Sequence, residues 1–94
     1  MKYTIENLQE GLKNLTGLDF EEAETAERNS GNLAMFMNTS AKFQARLAAT
    51  ALGVNVHELK SLPINEYNKL TSAVGGFLFS TSDETTASNK SELL

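Results

Sequence analysis

The sequence predicts an all-α fold, mainly helical, with four to five short helices and a possible short N-terminal strand. Two observations carry this. Apolar residues recur at three- and four-residue steps along most of the chain, the spacing that lines one face of a helix. Between those stretches stand residues that start or stop helices, with Thr4, Asp19, Asn55 and Asn65 as caps and Gly17, Gly31, Gly53 and Pro63 as breaks.

Ile5, Leu8, Leu12 and Leu15 form the first stripe, capped by Thr4 and ended at Thr16-Gly17. Gly11 inside it weakens the helix by about 1 kcal/mol relative to alanine. The run "KYTI" also fits a short strand. The second helix is expected over "LDFEEAETAERNSG". Asp19 with Glu22 three residues on is a capping box, acidic residues crowd the first turn where the helix dipole favours them, and "NSG" supplies the stop. Phe20, Ala23 and either Ala26 or Glu27 mark its faces, a thin stripe that needs tertiary packing to persist.

"SAKFQARLAATALG" reads as the central helix. Phe43, Leu47 and Ala51 form one stripe with Ala48 and Leu52 beside it, and its alanines let a neighbouring helix come close. Gly53 is the left-handed terminator. A short helix opens at "NVHEL", with Asn55 as cap and Glu58 at the third position. Leu62, standing before Pro63, is biased away from helical geometry. "INEYNKLTSAVGGFLF" then restarts with Asn65 as cap, and Tyr67, Leu70, Val74, Phe77 and Leu78 on one face. Gly75-Gly76 allows close packing or a bend. Residues 1–79 thus make one helical domain. Residues 80–94, rich in serine and threonine with almost nothing to bury, are expected to be a disordered tail.

A chain of 94 residues sits near the lower edge of what a single core can stabilise, and oligomerisation is a common supplement at that size. A net charge of −4 and a pI near 4.9 speak against nucleic acid, which calls for a basic face. With no cysteine there are no disulfides, thiolate metal sites or cysteine nucleophiles, as suits a reducing cytoplasm. The N-terminus lacks the apolar core of a signal peptide, and no apolar run approaches the roughly 18 residues of a membrane span. No membrane role is expected.

Catalytic and cofactor chemistry find little to work with. His57, the one histidine, has only Asn55 and Glu58 near it in sequence, not the spacing of a metal site. Glu21, Glu22, Glu24 and Glu27 read as solvated carboxylates on a dipole-favoured face, since acid–base work needs a pair whose environments differ. No serine lies in a nucleophile elbow, and Gly75-Gly76 lacks the lysine and spacing of a phosphate loop. The expectation is no enzyme, no cofactor and no metal.

Two trios stand out instead. Met35, Phe36 and Met37 are consecutive, as are Phe77, Leu78 and Phe79, and no single helix face buries three large neighbours. Core filling takes part of each, and at least one of each trio faces a subunit or a client. Met35, Phe36, Met37, Tyr67, Val74, Phe77 and Phe79 are the candidate protein-contact residues.

The order of three motifs resembles the tail assembly chaperones of long-tailed phages and prophages of Gram-positive hosts. "LTGLDFEEAE" is similar to the family's leucine-threonine-glycine-x-aspartate followed by alanine-glutamate. "LAATALGVNV" matches its alanine-rich helix ending in a small-glycine-valine step. "SLPINEYNKLTSAVGGFLF" follows its leucine-proline, polar-aromatic, phenylalanine-leucine order. The match covers Leu15 to Phe79, about two-thirds of the chain. Two features depart from it. Glu66 stands where the family usually has aspartate. Only 15 residues precede Thr16 where members usually carry a longer extended region, which keeps the strand alternative open.

The resemblance implies a non-catalytic holdase for the tape measure protein that helps recruit tail-tube subunits during tail morphogenesis. It implies a homo-oligomer acting in the bacterial host cytoplasm and absent from the mature virion. The alternative is a small acidic helical regulatory protein docking on a host factor. That alternative expects Glu21, Glu22, Glu24 and Glu27 to cluster with Asp83 and Glu84 into one negative face.

Overall fold

The computed structural model describes the backbone of residues 3–93 and the side chains of residues 3–80. Five α-helices follow one another: α1 (Ile5–Lys13), α2 (Gly17–Asn29), α3 (Ala41–Leu52), α4 (Val56–Lys60) and α5 (Ile64–Leu93), with a 3₁₀ turn at Met37–Thr39 before α3. No strand occurs among the described residues, so the class is all-α. The tail expected over 80–94 falls, from residue 81 onward, on side chains outside the described set.

The N-terminal alternatives resolve in favour of the helix. The Thr4 hydroxyl accepts the Asn7 amide at 3.1 Å, and Leu8 and Leu12 point inward to full burial. Gly11 has a packing reason that propensity alone hides. A Cβ there would collide with the backbone carbonyl of Ala51, so α1 lies directly on the backbone at the end of α3. Only glycine permits that approach.

The start of α2 corrects the expected cap. Two capping boxes overlap in the sequence, Thr16 with Asp19 and Asp19 with Glu22. The first one forms: the Asp19 carboxylate accepts the Thr16 amide at 2.8 Å and the Thr16 hydroxyl accepts the Asp19 amide at 3.3 Å. Asp19 is therefore already helical while Thr16 is extended, at φ −112° and ψ 173°. Thr16-Gly17 opens α2 instead of closing α1, which ends at Lys13.

Helix α3 is the axis of the fold, touching all four other helices. Its expected bounds hold, with Ser40 as cap and Gly53 left-handed at φ 71°. Phe43 is fully buried and meets the Phe20 ring edge-on, centroids 4.9 Å apart, a geometry that suits the ring quadrupoles. Leu47, Ala48 and Ala49 continue the buried face. Leu59 of α4 and Leu70 and Val74 of α5 close over it.

At α4, the Asn55 side chain accepts the His57 amide at 2.8 Å as expected of a cap. The Glu58 carboxylate accepts the Tyr3 hydroxyl at 2.9 Å, tying the N-terminal segment to this short helix. The α5 cap is a second correction. The Tyr67 amide donates to the Pro63 carbonyl at 3.0 Å, so the helix begins at Ile64 and Asn65 lies inside its first turn. Proline suits that place, since a carbonyl is needed there and an N–H is not.

Candidate interaction surface

Between α2 and the 3₁₀ turn the chain leaves regular structure and turns apolar side chains into water. Leu33 is 84% exposed, Met35 83% and Phe36 65%, while the next residue, Met37, is buried in the core. Three large apolar groups in one short exposed loop are unusual for so small a chain. What holds them outward is a set of polar contacts beneath.

Asn32 is the centre of that set. Its side-chain amide donates to Glu27 Oε1 at 2.9 Å and to the Ser40 hydroxyl at 3.0 Å, while its carbonyl oxygen accepts the Ala34 amide at 3.1 Å. The Asn32 backbone N–H donates to the Glu27 carbonyl at 2.9 Å. Glu27 itself is 1% exposed, and Arg46 Nε of α3 donates to its Oε2 at 2.7 Å. Outside, Arg28 pairs with Glu24 at 3.1 Å and donates to the Ala34 carbonyl at 3.2 Å. The far end of the loop is tied as well, because the Gln44 side chain donates to the Asn38 carbonyl at 2.9 Å. Among the described residues no buried side-chain nitrogen or oxygen lacks a partner. A buried polar network that is fully satisfied fixes its geometry. Asn32, Ser40 and Gln44 take the inside, so residues 33, 35 and 36 are left the outside.

Electrostatics agree with the geometry. Burial works to raise the Glu27 pKa. Hydrogen bonds from Asn32 and Arg46, with the charges of Arg46 and Lys60, outweigh it and hold the carboxyl below its ordinary range. The group stays ionised and keeps both donors. Burial pushes the Tyr67 hydroxyl above its ordinary range, and the negative charge of Glu27 adds to the shift. Gly75 of α5 makes room for the same network: a Cβ there would stand 2.9 Å from the Gln44 side-chain nitrogen.

The seven candidate contact residues do not form one patch. Met35 and Phe36 share the presented loop. Met37 and Val74 are core, at 4% and 0% exposure, and offer nothing to a partner in this fold. Met37 is drawn in by the 3₁₀ turn, and Val74 by lying one turn from Leu70 on the inner face of α5. Phe77 is half-buried. With Leu12, Leu15, Phe20, Leu47 and Leu78 it lines an apolar groove of about 250 Å³ between the α1–α2 turn and α5. Phe79 is exposed. Tyr67 sits apart, in a depression with Leu62, Ile64, Lys42 and Lys60.

Sequence reasoning passed over Leu18 and Ile64 as exposed apolar residues, and its reading of Glu27 as a solvated carboxylate is corrected by the buried network. Glu27 carries a signal that could have found it: it falls four residues after Ala23 and seven after Phe20, on the helix's apolar stripe.

The acidic run does not gather into one face. Glu27 is turned inward to Arg46 and Glu24 pairs with Arg28 at the surface, which leaves Glu21 and Glu22 outward and without an ion pair among the described residues. The Asp83 and Glu84 side chains lie outside the described set. His57 is exposed, and among the described residues no group of three histidine, aspartate or glutamate side chains is placed to hold a metal ion. Among the described residues no helix is long and apolar enough to cross a membrane. No known protein family, curated protein or solved structure matches the chain.

Proposed function

We propose that the chain is a phage or prophage tail assembly chaperone, a non-catalytic protein that binds the tape measure protein and keeps it soluble. On this reading it acts in the bacterial host cytoplasm, helps recruit tail-tube subunits around its client, and is left out of the mature virion. The observation that carries the reading is the loop of Leu33, Met35 and Phe36, apolar, exposed and held in place by the polar contacts beneath it. A long helical client offers recurring apolar stripes, and a fixed apolar loop with a shallow groove beside Phe77 answers them. Methionine in the loop adapts to stripes of varied shape. Each contact is small, so release is easy, and repetition through self-association supplies the total strength. The ordered sequence resemblance from Leu15 to Phe79 supports the same reading.

Co-expression with the tape measure protein tests it. The wild-type chain is expected to keep the client soluble and to co-purify with it. Met35→Ser with Phe36→Ser is expected to weaken capture about tenfold or more, as apolar anchors at an interface do when truncated, with helical content unchanged. A second arm, Phe77→Ser with Phe79→Ser, asks whether the groove contributes. Unchanged capture by the loop variant removes the loop from the contact, and no capture by the wild type removes the function.

A further inference from the structure

Two further surfaces of the chain mirror each other in chemistry. The first lies where the start of α3, the end of α4 and the start of α5 meet. Lys42, Lys60, Leu62, Ile64 and Tyr67 line a depression of about 350 Å³ there. Ile64 is 72% exposed, both lysines are exposed, and neither lysine makes an ion pair among the described residues. In a chain of net charge −4 this is a local reversal of sign.

The second is the outer face of α2. Leu18, Glu21, Glu22 and Thr25 fall on the side of the helix opposite the inward-facing Phe20, Ala23 and Glu27, and line a shallow depression of about 400 Å³. Leu18 is 64% exposed, and neither Glu21 nor Glu22 makes an ion pair among the described residues. Each surface therefore sets one large exposed apolar side chain beside two exposed like charges without a close ion pair, and the charges are opposite in sign; Lys60 also acts at longer range on the buried Glu27.

We propose that the outer face of α2 of a second copy docks onto the Lys42–Lys60 depression of the first. Leu18 seats against Ile64 and Leu62, while Glu21 and Glu22 face the two lysines. Charge complementarity fixes the orientation and disfavours the like-with-like alternatives. The two surfaces differ, so the contact is head-to-tail and each bound copy still offers one free surface of each kind. Such a contact repeats until it closes into a ring or runs on as an open chain. Neither surface uses Leu33, Met35 or Phe36, so the loop remains available in every copy. This deepens the self-association in the function proposed above and is independent of the client, because the chain alone carries both halves.

Sedimentation of the full chain over a range of concentrations tests it without any client. The wild type is expected to grow in mass with concentration and to dissociate as salt rises. Lys42→Glu with Lys60→Glu in one variant, and Glu21→Lys with Glu22→Lys in another, are each expected to raise the dissociation constant about tenfold or more. All four positions are exposed, and circular dichroism checks that both variants keep their helices. Mixed together, the two variants are expected to assemble again, since every contact between unlike copies is attractive. A wild type that stays monomeric, charge variants that assemble as well as the wild type, or a mixture that fails to restore assembly would each overturn the proposal. Capture of a client by a monomeric chain would overturn it while leaving the chaperone reading in place.

Discussion

The α1–α3–α5 half of the molecule and the α2-to-α3 loop obey opposite rules. In the first, Leu8, Phe43, Leu70 and Val74 are sealed from water, and the close approach of backbones at Gly11 and Ala51 sets the spacing. In the second, the polar groups of Glu27, Asn32 and Gln44 are inside, and Leu33, Met35 and Phe36 are outside. The contrast separates two jobs. Apolar burial supplies stability in one half, and hydrogen bonds supply position in the other.

The sharpest way to break the comparison is in the packed half. Phe43→Ala removes a fully buried ring and its edge contact with Phe20, and is expected to lower unfolding free energy in urea by about 3–5 kcal/mol. Next in size is Arg46→Met, which strips the ion-paired donor from buried Glu27. Because the Arg46 side chain is 27% exposed, a loss of about 1.5–3 kcal/mol is expected, below that of a fully dry pair.

The same carboxylate sets an acid limb. Its folded pKa lies below the unfolded value near 4.5, so the unfolded chain binds the extra proton in that window. Its contribution is fully present above the unfolded pKa and is lost as pH falls through the folded one. Glu27→Gln should flatten that part of a stability-versus-pH curve. An unchanged acid limb would show that Glu27 is not a source of it.

Smaller effects sharpen the contrast from the loop side. In Gly75→Ala, alanine's better helix propensity, about 1 kcal/mol, opposes the displacement of the Gln44 side chain. Stability should change by under about 1 kcal/mol, while amide exchange near Asn38 quickens as its tether loosens. Smallest of all is Phe36→Ser, expected to move stability by no more than about 0.5 kcal/mol, since the side chain is largely exposed. A larger loss would mean that the loop belongs to the core after all.

Much of the packed half was legible in the sequence. The Leu8 and Leu12 stripe, the bounds of α3 from Ser40 to Gly53, and the inner face of α5 all follow from spacing and cap chemistry. Local overlap hid the α2 cap: Thr16, Asp19 and Glu22 make two equivalent boxes, and only the turn at Asn14-Leu15 decides between them. Distance hid the loop. Asn32 meets Glu27 from 5 residues away and Arg46 meets it from 19, pairings that no periodicity records. Gly11 was legible as a weak point in a helix and not as a contact, because what it makes room for lies 40 positions further along. Of the contact candidates, Met35, Phe36 and Phe79 are exposed, whereas Met37 and Val74 went to the interior.

Asn32 shapes the fold from one place while the loop's outward side chains act from another. Sequence change at positions 33, 35 and 36 is therefore nearly silent for folding, and those three can drift without cost to the packed half. Replacement of the single amide beneath them is a different matter. Asn32→Asp would set a second carboxylate against Glu27 and leave the side chain with no proton to give, so the loop's outer residues are free to vary only while that one residue stays fixed.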